Sequence, residues 1–463
     1  MAMLSVLTGG KLPTFKRTTR RSARRKVLLS RLAPMFTVLT LSTLALTAAV
    51  THFSHEAPLE RVSSRRSLYE YEEGVCDSYL TTHYTYLAVA LLAWGIFYMF
   101  WGLAIVCDDY FVTSLEDISE SLNLSPDVAG ATFMAAGSSA PELFTSLMGI
   151  FAVKNDVGIG TIVGSAVFNL CCIIGGTALF TPITLTIDWK PITRDSFFYA
   201  ISIGAMIQVL RDGAVTLIES LVLVIFYVLY VVFMYYNPQF MSCLSRIAGE
   251  NVAQKLEDEE EKKEEARDDD DDDEETPIAK AIAKPLEIAL LATIPDCSKP
   301  HNKNRYLLTF MMSIVWIGVL SYFMVTWASK LGCLWHVHPA IMGVTVLAAG
   351  TSVPDAIGSL LVARDGQGDM AVSNAIGSNV FDILLGLGLP WSLSCIAYGI
   401  PVAVDAENLE PMSIILFSTL AAVYGVTIFS GFKLTKCVGA IFFSFYFLFV
   451  AYNLMHEFGH ISF

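Results

Sequence analysis

Charged residues are what this chain of 463 residues is shortest of: Asp, Glu, Lys and Arg make up only 16% of it. A soluble globular domain carries about a quarter, so the composition excludes an ordinary soluble protein. CxxC motifs are missing too, the nine cysteines being scattered along the chain. Cys107, Cys171, Cys172 and Cys437 fall in or beside apolar stretches, where buried free thiols are ordinary. Cys76, Cys333 and Cys395 fall near segments that the topology below places outside the cytosol, so one pair among them is a candidate disulfide. Also absent are the alternating segments of about ten residues that build a membrane β-barrel. What is present is 54% hydrophobic residues, gathered in runs of about 20, each long enough to cross a hydrocarbon core of about 30 Å. The expected fold class is therefore an all-α polytopic membrane protein, helices being the other structure that satisfies every backbone group in lipid.

The runs predict spans at 34–52, 84–107, 127–152, 158–180, 196–210, 214–236, 306–329, 338–363, 368–394, 412–429 and 434–455. Residues 1–33 hold nine Lys/Arg and no acid, so residues 1–52 form a basic arm with a signal or anchor segment, and cleavage of that segment stays open. Residues 53–83 are expected to be extracytoplasmic. Ten core spans remain, five in 84–236 and five in 306–463, separated by a hydrophilic linker at 237–305. Sixteen acids crowd into 250–275, six of them consecutive aspartates at 268–273. Such a stretch cannot bury enough apolar surface to fold alone. The piece at 278–296 is amphipathic and is expected to lie along the membrane surface. The Lys/Arg bias puts the basic arm and the linker in the cytosol. Short loops agree, with Lys190, Arg194, Arg364, Lys433 and Lys436 inside against Lys154, Arg211 and Lys330 outside.

A shift of 213 residues lays "GATFMAAGSSAPELFTSLMG" (130–149) over "GVTVLAAGTSVPDAIGSLLV" (343–362), with nine of twenty positions identical. The same shift lays "GSAVFN" (164–169) over "GSNVFD" (377–382). Glu142 meets Asp355, and Asn169 meets Asp382. Each half has an odd number of spans, so the halves enter the membrane with opposite orientations. The core is thus two inverted five-helix repeats, the plan of secondary transporters that bind substrate near the bilayer midplane.

A carboxylate at membrane depth is costly and marks an ion or proton path. Pro141 and Pro354 donate no backbone hydrogen bond, and each ring clashes with the carbonyl four residues earlier. That is expected to free carbonyls around Ala135–Ser138 and Ala348–Thr351, which irregular backbone lining a cavity tolerates. Ser138 and Ser139 share the helical face of Glu142, and Thr351 and Ser352 share that of Asp355. Ser165 with Asn169, and Ser378 with Asp382, are i,i+4 neighbours. Every donor in the set is oxygen. Hard cations such as Ca²⁺ take six to eight oxygens, whereas zinc or copper calls for nitrogen or sulfur. Hydroxyls in membrane helices also bond back to their own carbonyls, so any one of them has a structural alternative.

At these residues the chain resembles the sodium/calcium exchanger superfamily, and within it the potassium-dependent sodium/calcium exchangers. The resemblance rests on "AGSSAPE" and "AGTSVPD", on 106–143 and on "VARDGQGDMAVSNAIGSNVFD" (362–382). It implies an antiporter that exchanges Na⁺ for Ca²⁺ moving together with K⁺, by alternating access. It implies that Glu142 and Asp355 are the central calcium ligands, shared with sodium. Ser138, Ser139, Thr351 and Ser352 would line sodium positions with the carbonyls of Ala135 and Ala348. Ser165, Asn169 and Ser378 would complete the shell, and Asp382 would hold potassium. One departure is Gly358, where the first repeat has Thr145. A potassium-independent Na⁺/Ca²⁺ or an H⁺/Ca²⁺ antiporter of the same fold is the alternative.

Other signals are weaker. "HEFGH" (456–460) matches the HExxH zinc-protease pattern, but only three residues follow and Gly459 weakens the helix. His336 and His338, with His456 and His460, stay open between a weak outer metal site and solvated histidines. The run 268–273 lacks the glycine and glutamate spacing of an EF-hand. It is a solvated charge run, or a segment that senses calcium or binds a regulatory partner. "NLS" (123–125) is a sequon on the cytosolic side. No enzyme activity, cofactor or nucleic-acid partner is expected. The partners are inorganic cations and the lipid bilayer, in the plasma membrane or an endomembrane.

Overall fold

The structure is a computed structural model that describes residues 85–121, 135–153, 157–181, 184–248, 277–297, 299, 302, 305–335, 337–364, 366, 368–404 and 406–457. The basic arm, the apolar run at 34–52, the segment 53–83, the sequon, the acidic run, His336 and His460 lie outside the described residues.

The first half runs through α1 (Thr85–Ile105), a π-helical turn (Val106–Val112) and α2 (Thr113–Ser121). Then come α3 (Ala135–Ser138), α4 (Ala140–Met148) with a π turn to Val153, α5 (Val157–Phe168), a π turn (Asn169–Ile173), α6 (Ile174–Phe180), α7 (Trp189–Leu210) and α8 (Leu217–Ala248). After α9 (Pro277–Thr293), the second half comprises α10 (Tyr306–Trp335), α11 (Pro339–Met342) with a π turn (Gly343–Leu347), α12 (Ala348–Thr351), α13 (Val353–Arg364) and α14 (Gly368–Phe381). It ends with a π turn (Asp382–Leu387), α15 (Gly388–Tyr398), α16 (Ala406–Phe429) and α17 (Lys436–Glu457).

Seven helices among the described residues are long and apolar enough to cross a membrane, and the pair 340–351 and 353–364, bent by 40°, makes an eighth. Ala140–Val153 is a shorter apolar helix, and the residues before Ala135 are outside the described set. The remaining expected span is α7, which has 22 residues but opens with Lys190, Arg194 and Asp195. The protein is an all-helical, multi-pass membrane protein.

The centre of the bundle is α5, every residue of which is buried. It crosses the segment 340–348 at backbone contact. A Cβ at Gly343 would stand 2.7 Å from the Thr161 nitrogen, and one at Gly164 would stand 2.6 Å from the Val344 Cα. Only glycine permits this approach. On the periphery, α1 packs along α10, with Gly95 facing Trp327 and Gly102 facing Leu320.

Two short antiparallel pairs register the halves. β1 (Leu185–Thr186) pairs with β4 (Lys433–Leu434), and β2 (Ala214–Val215) pairs with β3 (Val402–Ala403). The first joins two loops expected inside, the second two loops expected outside. Gly399, at φ +69, closes α15 in the left-handed conformation, its N–H bonding the Cys395 carbonyl, as a C-terminal glycine does.

The amphipathic segment within the linker is more than a surface helix. Leu286, Leu290 and Ile294 are buried, Leu286 against Gly102 of α1. Trp316 Nε1 donates to Thr293 Oγ1 at 2.8 Å, and Thr309 Oγ1 donates to the Pro295 carbonyl at 2.5 Å. Among the cysteines, Cys333 is disulfide-bonded and Cys395 is a buried free thiol. Cys107, Cys171 and Cys172 are buried and free, while Cys437 is free and exposed.

Candidate cation-binding site

The two repeat motifs fold alike. Ser139, just before Pro141, breaks the first helix at φ −90°, ψ 8°. Ser352, its counterpart 213 residues on, breaks the second at φ −80°, ψ 4°. The prolines remove one helical donor each, and α4 and α13 restart with Glu142 and Asp355 in their first turns. Asn169 and Asp382, also counterparts, each open a π turn, a local widening frequent at functional sites.

These elements bring Glu142, Asp355 and Asp382 into the interior, where all three are buried together with Asn169, Ser139, Thr351, Ser352, Ser165 and Ser378. The bonds that link them run between the halves. Ser352 Oγ donates to Glu142 Oε1 at 3.3 Å. Asn169 Nδ2 faces Asn379 Oδ1 at 2.8 Å, Ser378 Oγ at 3.2 Å and Asp355 Oδ2 at 3.4 Å. Thr351 also lies against Glu142, and Ser138 and Ser378 lie against Asp355. Ser139 stands beside Asp382 without hydrogen-bond geometry.

Several hydroxyls bond back to their own helices as well. Ser165 donates to Ile162 at 3.0 Å, Ser378 to Ala375 at 3.2 Å and Thr351 to Leu347 at 3.1 Å. The Ala348 carbonyl, expected to be freed, accepts the Ser352 N–H at 3.3 Å in this conformation. Ala135 opens α3.

The arrangement leaves an excess of acceptors. Glu142 Oε2, Asp355 Oδ1, both Asp382 oxygens, Asn169 Oδ1, Ser139 Oγ, Thr145 Oγ1 and Ser146 Oγ are buried with no hydrogen-bond partner among the described residues. Buried polar groups are normally paired, and unpaired buried carboxylates cost several kcal/mol each. Two ion pairs among the described residues, Arg194–Asp195 and Lys299–Asp296, lie elsewhere. No group of three or more His, Cys, Asp or Glu among the described residues is tight enough to hold a metal alone. Hydroxyls and an amide would have to share the coordination with the acids.

Asn379 and Tyr199 escaped the sequence reading. Asn379 braces Asn169 and donates to the Ala166 carbonyl at 3.3 Å. Its repeat counterpart is Ala166, so comparing the two copies conceals it. Tyr199 belongs to neither motif.

Such a fold and site define a class: multi-pass membrane proteins with a cluster of oxygen-bearing side chains buried where two inverted repeats cross. The family model described as "Sodium/calcium exchanger protein" matches residues 92–236 and 305–455, and the chain belongs to that family. It is 34% identical to sodium/potassium/calcium exchanger 3 of Rattus norvegicus, over 81% of this chain and 84% of that one. It is 36% identical to sodium/potassium/calcium exchanger 5 of Homo sapiens, over 79% and 83%. Among solved structures, the sodium-calcium exchanger NCX_Mj soaked with 10 mM Na⁺ and 10 mM Sr²⁺ is similar at TM-score 0.46 and 21% identity, covering 78% of this chain and 98% of that one. Symport, as a label for the co-movement of calcium and potassium, does not fit a family of exchangers.

Proposed function

We propose that this protein is a secondary active antiporter that exchanges Na⁺ for Ca²⁺ together with K⁺ by alternating access. The observation that carries the reading is the set of bonds across the repeats, Ser352 to Glu142 and Asn169 to Asp355. Each half supplies an acid and the other half supplies its hydrogen-bond donor, so the pocket exists only where the halves meet. Rocking one half against the other would then open it to one side at a time. In this conformation Glu142 and Asp382 have no exposed surface, as an occluded state requires.

Glu142 and Asp355 would bind calcium and, in the other phase of the cycle, sodium. Asp382 would hold potassium. Ser138, Ser139, Thr351, Ser352, Ser165, Ser378, Asn169 and the carbonyls of Ala135 and Ala348 would fill the remaining coordination positions. Competition for the same carboxylates couples the fluxes, because the site cannot hold sodium and calcium together. No covalent step and no resident cofactor enter this cycle, and the cations are its cargo. The relatives named sodium/potassium/calcium exchangers support the choice of ions.

The test is calcium uptake into sodium-loaded vesicles, with potassium present or replaced by lithium, for the wild type and Asp382→Asn. The expected result is a wild type that needs both sodium inside and potassium outside, and a variant that runs without potassium. A wild type indifferent to potassium would make Asp382 an ordinary sodium ligand. Uptake driven by a pH gradient alone would replace sodium coupling with proton coupling.

A further inference from the structure

Outside both repeat motifs, α7 packs against α14 and against the π turn that opens at Asp382. Tyr199 sits in the middle of α7 with no exposed surface. Among the described residues its hydroxyl has no hydrogen-bond partner of ordinary geometry. Asn379 lies against that hydroxyl, and Asp382 and the Cys171 thiol are in the shell around it. Both Asp382 oxygens are unpartnered too, as is Ser139 Oγ beside them. Buried oxygens of Tyr199, Asp382 and Ser139, from three elements, thus lie in one region of the interior without bonding one another.

A ring that only filled core volume would do so better without its hydroxyl, because burying an unpaired polar group is unfavourable. Phenylalanine at 199 would bury the same ring, and α7 already carries Phe197 and Phe198. Asn379 accepts from Asn169 through its oxygen and gives one amide hydrogen to the Ala166 carbonyl, so at most its second N–H is left for Tyr199. A hydroxyl oxygen carries two lone pairs, so one remains for a cation on the Asp382 side. A neutral oxygen adds coordination without adding negative charge. Potassium is coordinated elsewhere by neutral oxygen dipoles.

We infer that the Tyr199 hydroxyl is a neutral oxygen ligand of the monovalent cation held by Asp382, and so sets how tightly potassium is bound. This rests on the proposed reading that Asp382 holds potassium.

The experiment is calcium uptake by the full-length protein in sodium-loaded vesicles, titrated with external potassium and, separately, with calcium at saturating potassium. Wild type, Tyr199→Phe and Tyr446→Phe are compared. Tyr446, on α17 near Cys171 and Cys172, is half-buried and controls for the loss of a tyrosine hydroxyl away from Asp382. Half-activating concentrations do not depend on how much protein reaches the membrane, so a poorly expressed variant still reports. Tyr199→Phe is expected to raise the half-activating potassium concentration about tenfold, equivalent to about 1.4 kcal/mol, with calcium half-saturation within about twofold of wild type. Tyr446→Phe is expected to move neither. A wild type that needs potassium beside a Tyr199→Phe that matches its potassium titration would overturn the assignment while leaving the proposed function intact. Equal shifts for potassium and calcium would make Tyr199 a packing residue and overturn it as well. A wild type that ignores potassium would overturn both.

Discussion

Gly164 is one of the points where the two halves meet at backbone contact, and a single added methyl tests how close. At that position a Cβ would overlap the Val344 carbonyl oxygen, and would stand 2.6 Å from the Val344 Cα and 2.7 Å from the Ala348 Cβ. Carbon atoms in contact sit about 3.5–4.0 Å apart, so the helices would have to separate by about 1 Å. The obstacle is mainly backbone, which cannot rotate aside as a side chain can. Overpacking a filled interior costs about 1–3 kcal/mol, and the upper end is expected here. Function should suffer more than stability. Ser165 is the next residue on α5, Ala348 is part of the obstacle, and binding constellations tolerate displacements of only about 0.5 Å. Gly204 supplies the matched control. It lies in α7 with nothing within 4 Å of an added Cβ, so alanine there should be neutral or gain under about 1 kcal/mol. Full-length Gly164→Ala and Gly204→Ala would be purified in detergent, melted by intrinsic fluorescence, and assayed for calcium uptake after reconstitution. Gly164→Ala should melt several degrees below wild type and lose uptake, and Gly204→Ala should do neither. A Gly164→Ala protein with wild-type melting and uptake would refute the backbone-contact crossing and the site geometry built upon it.

Two further outcomes follow from the same geometry. Glu142→Gln and Asp355→Asn should each cut calcium uptake by more than tenfold while the protein still reaches the membrane, and either variant transporting at the wild-type rate would remove that carboxylate from the site. Asp195→Ala strips Arg194 of its partner at 2.6 Å and Ser373 of its acceptor, loosening α7 from α14. Breaking a fully buried pair costs about 3–5 kcal/mol, but Arg194 keeps 17% exposure, so a loss of about 1–2 kcal/mol is expected, and an unchanged melting temperature would show that the pair contributes nothing.

Seven or eight of the span positions, and the three buried acids, were legible because membrane burial leaves coarse marks in a sequence: long apolar runs, and acids that have no reason to sit within them. The 213-residue shift then singled out Glu142, Asp355, Asn169 and Asp382 together. What stayed hidden depends on local geometry that residue identity does not encode. The π turns at Asn169 and Asp382 add one residue to a helical turn without any distinctive composition. The bond from the Ser352 N–H to the Ala348 carbonyl persists beside Pro354 because a proline deletes one donor and leaves its neighbours their own. Tyr199 is one aromatic residue among several in an ordinary apolar span, and only the packing of α7 against the second repeat marks it out. The segment 278–296 showed its amphipathic face, yet not that Leu286 finds Gly102 as its seat.

On the proposed reading, the near-symmetry of the halves serves movement, and the departures from it serve selection. Alternating access asks that the two halves be interchangeable scaffolds, and the matched breaks at Ser139 and Ser352 meet that demand. Exchanging unlike cations asks for a pocket that is not symmetric, and three positions supply it. Asn169 opposite Asp382 leaves three carboxylates where full symmetry would put four. On the proposed reading, their three negative charges match one divalent and one monovalent cation together. Asn379 opposite Ala166 reaches across to hold the Asn169 amide at 2.8 Å, and that amide in turn faces Asp355. Gly358 opposite Thr145 leaves open space around one acid and a buried hydroxyl near the other. Restoring symmetry at any of the three should therefore change which ions are exchanged before it changes whether the halves can move.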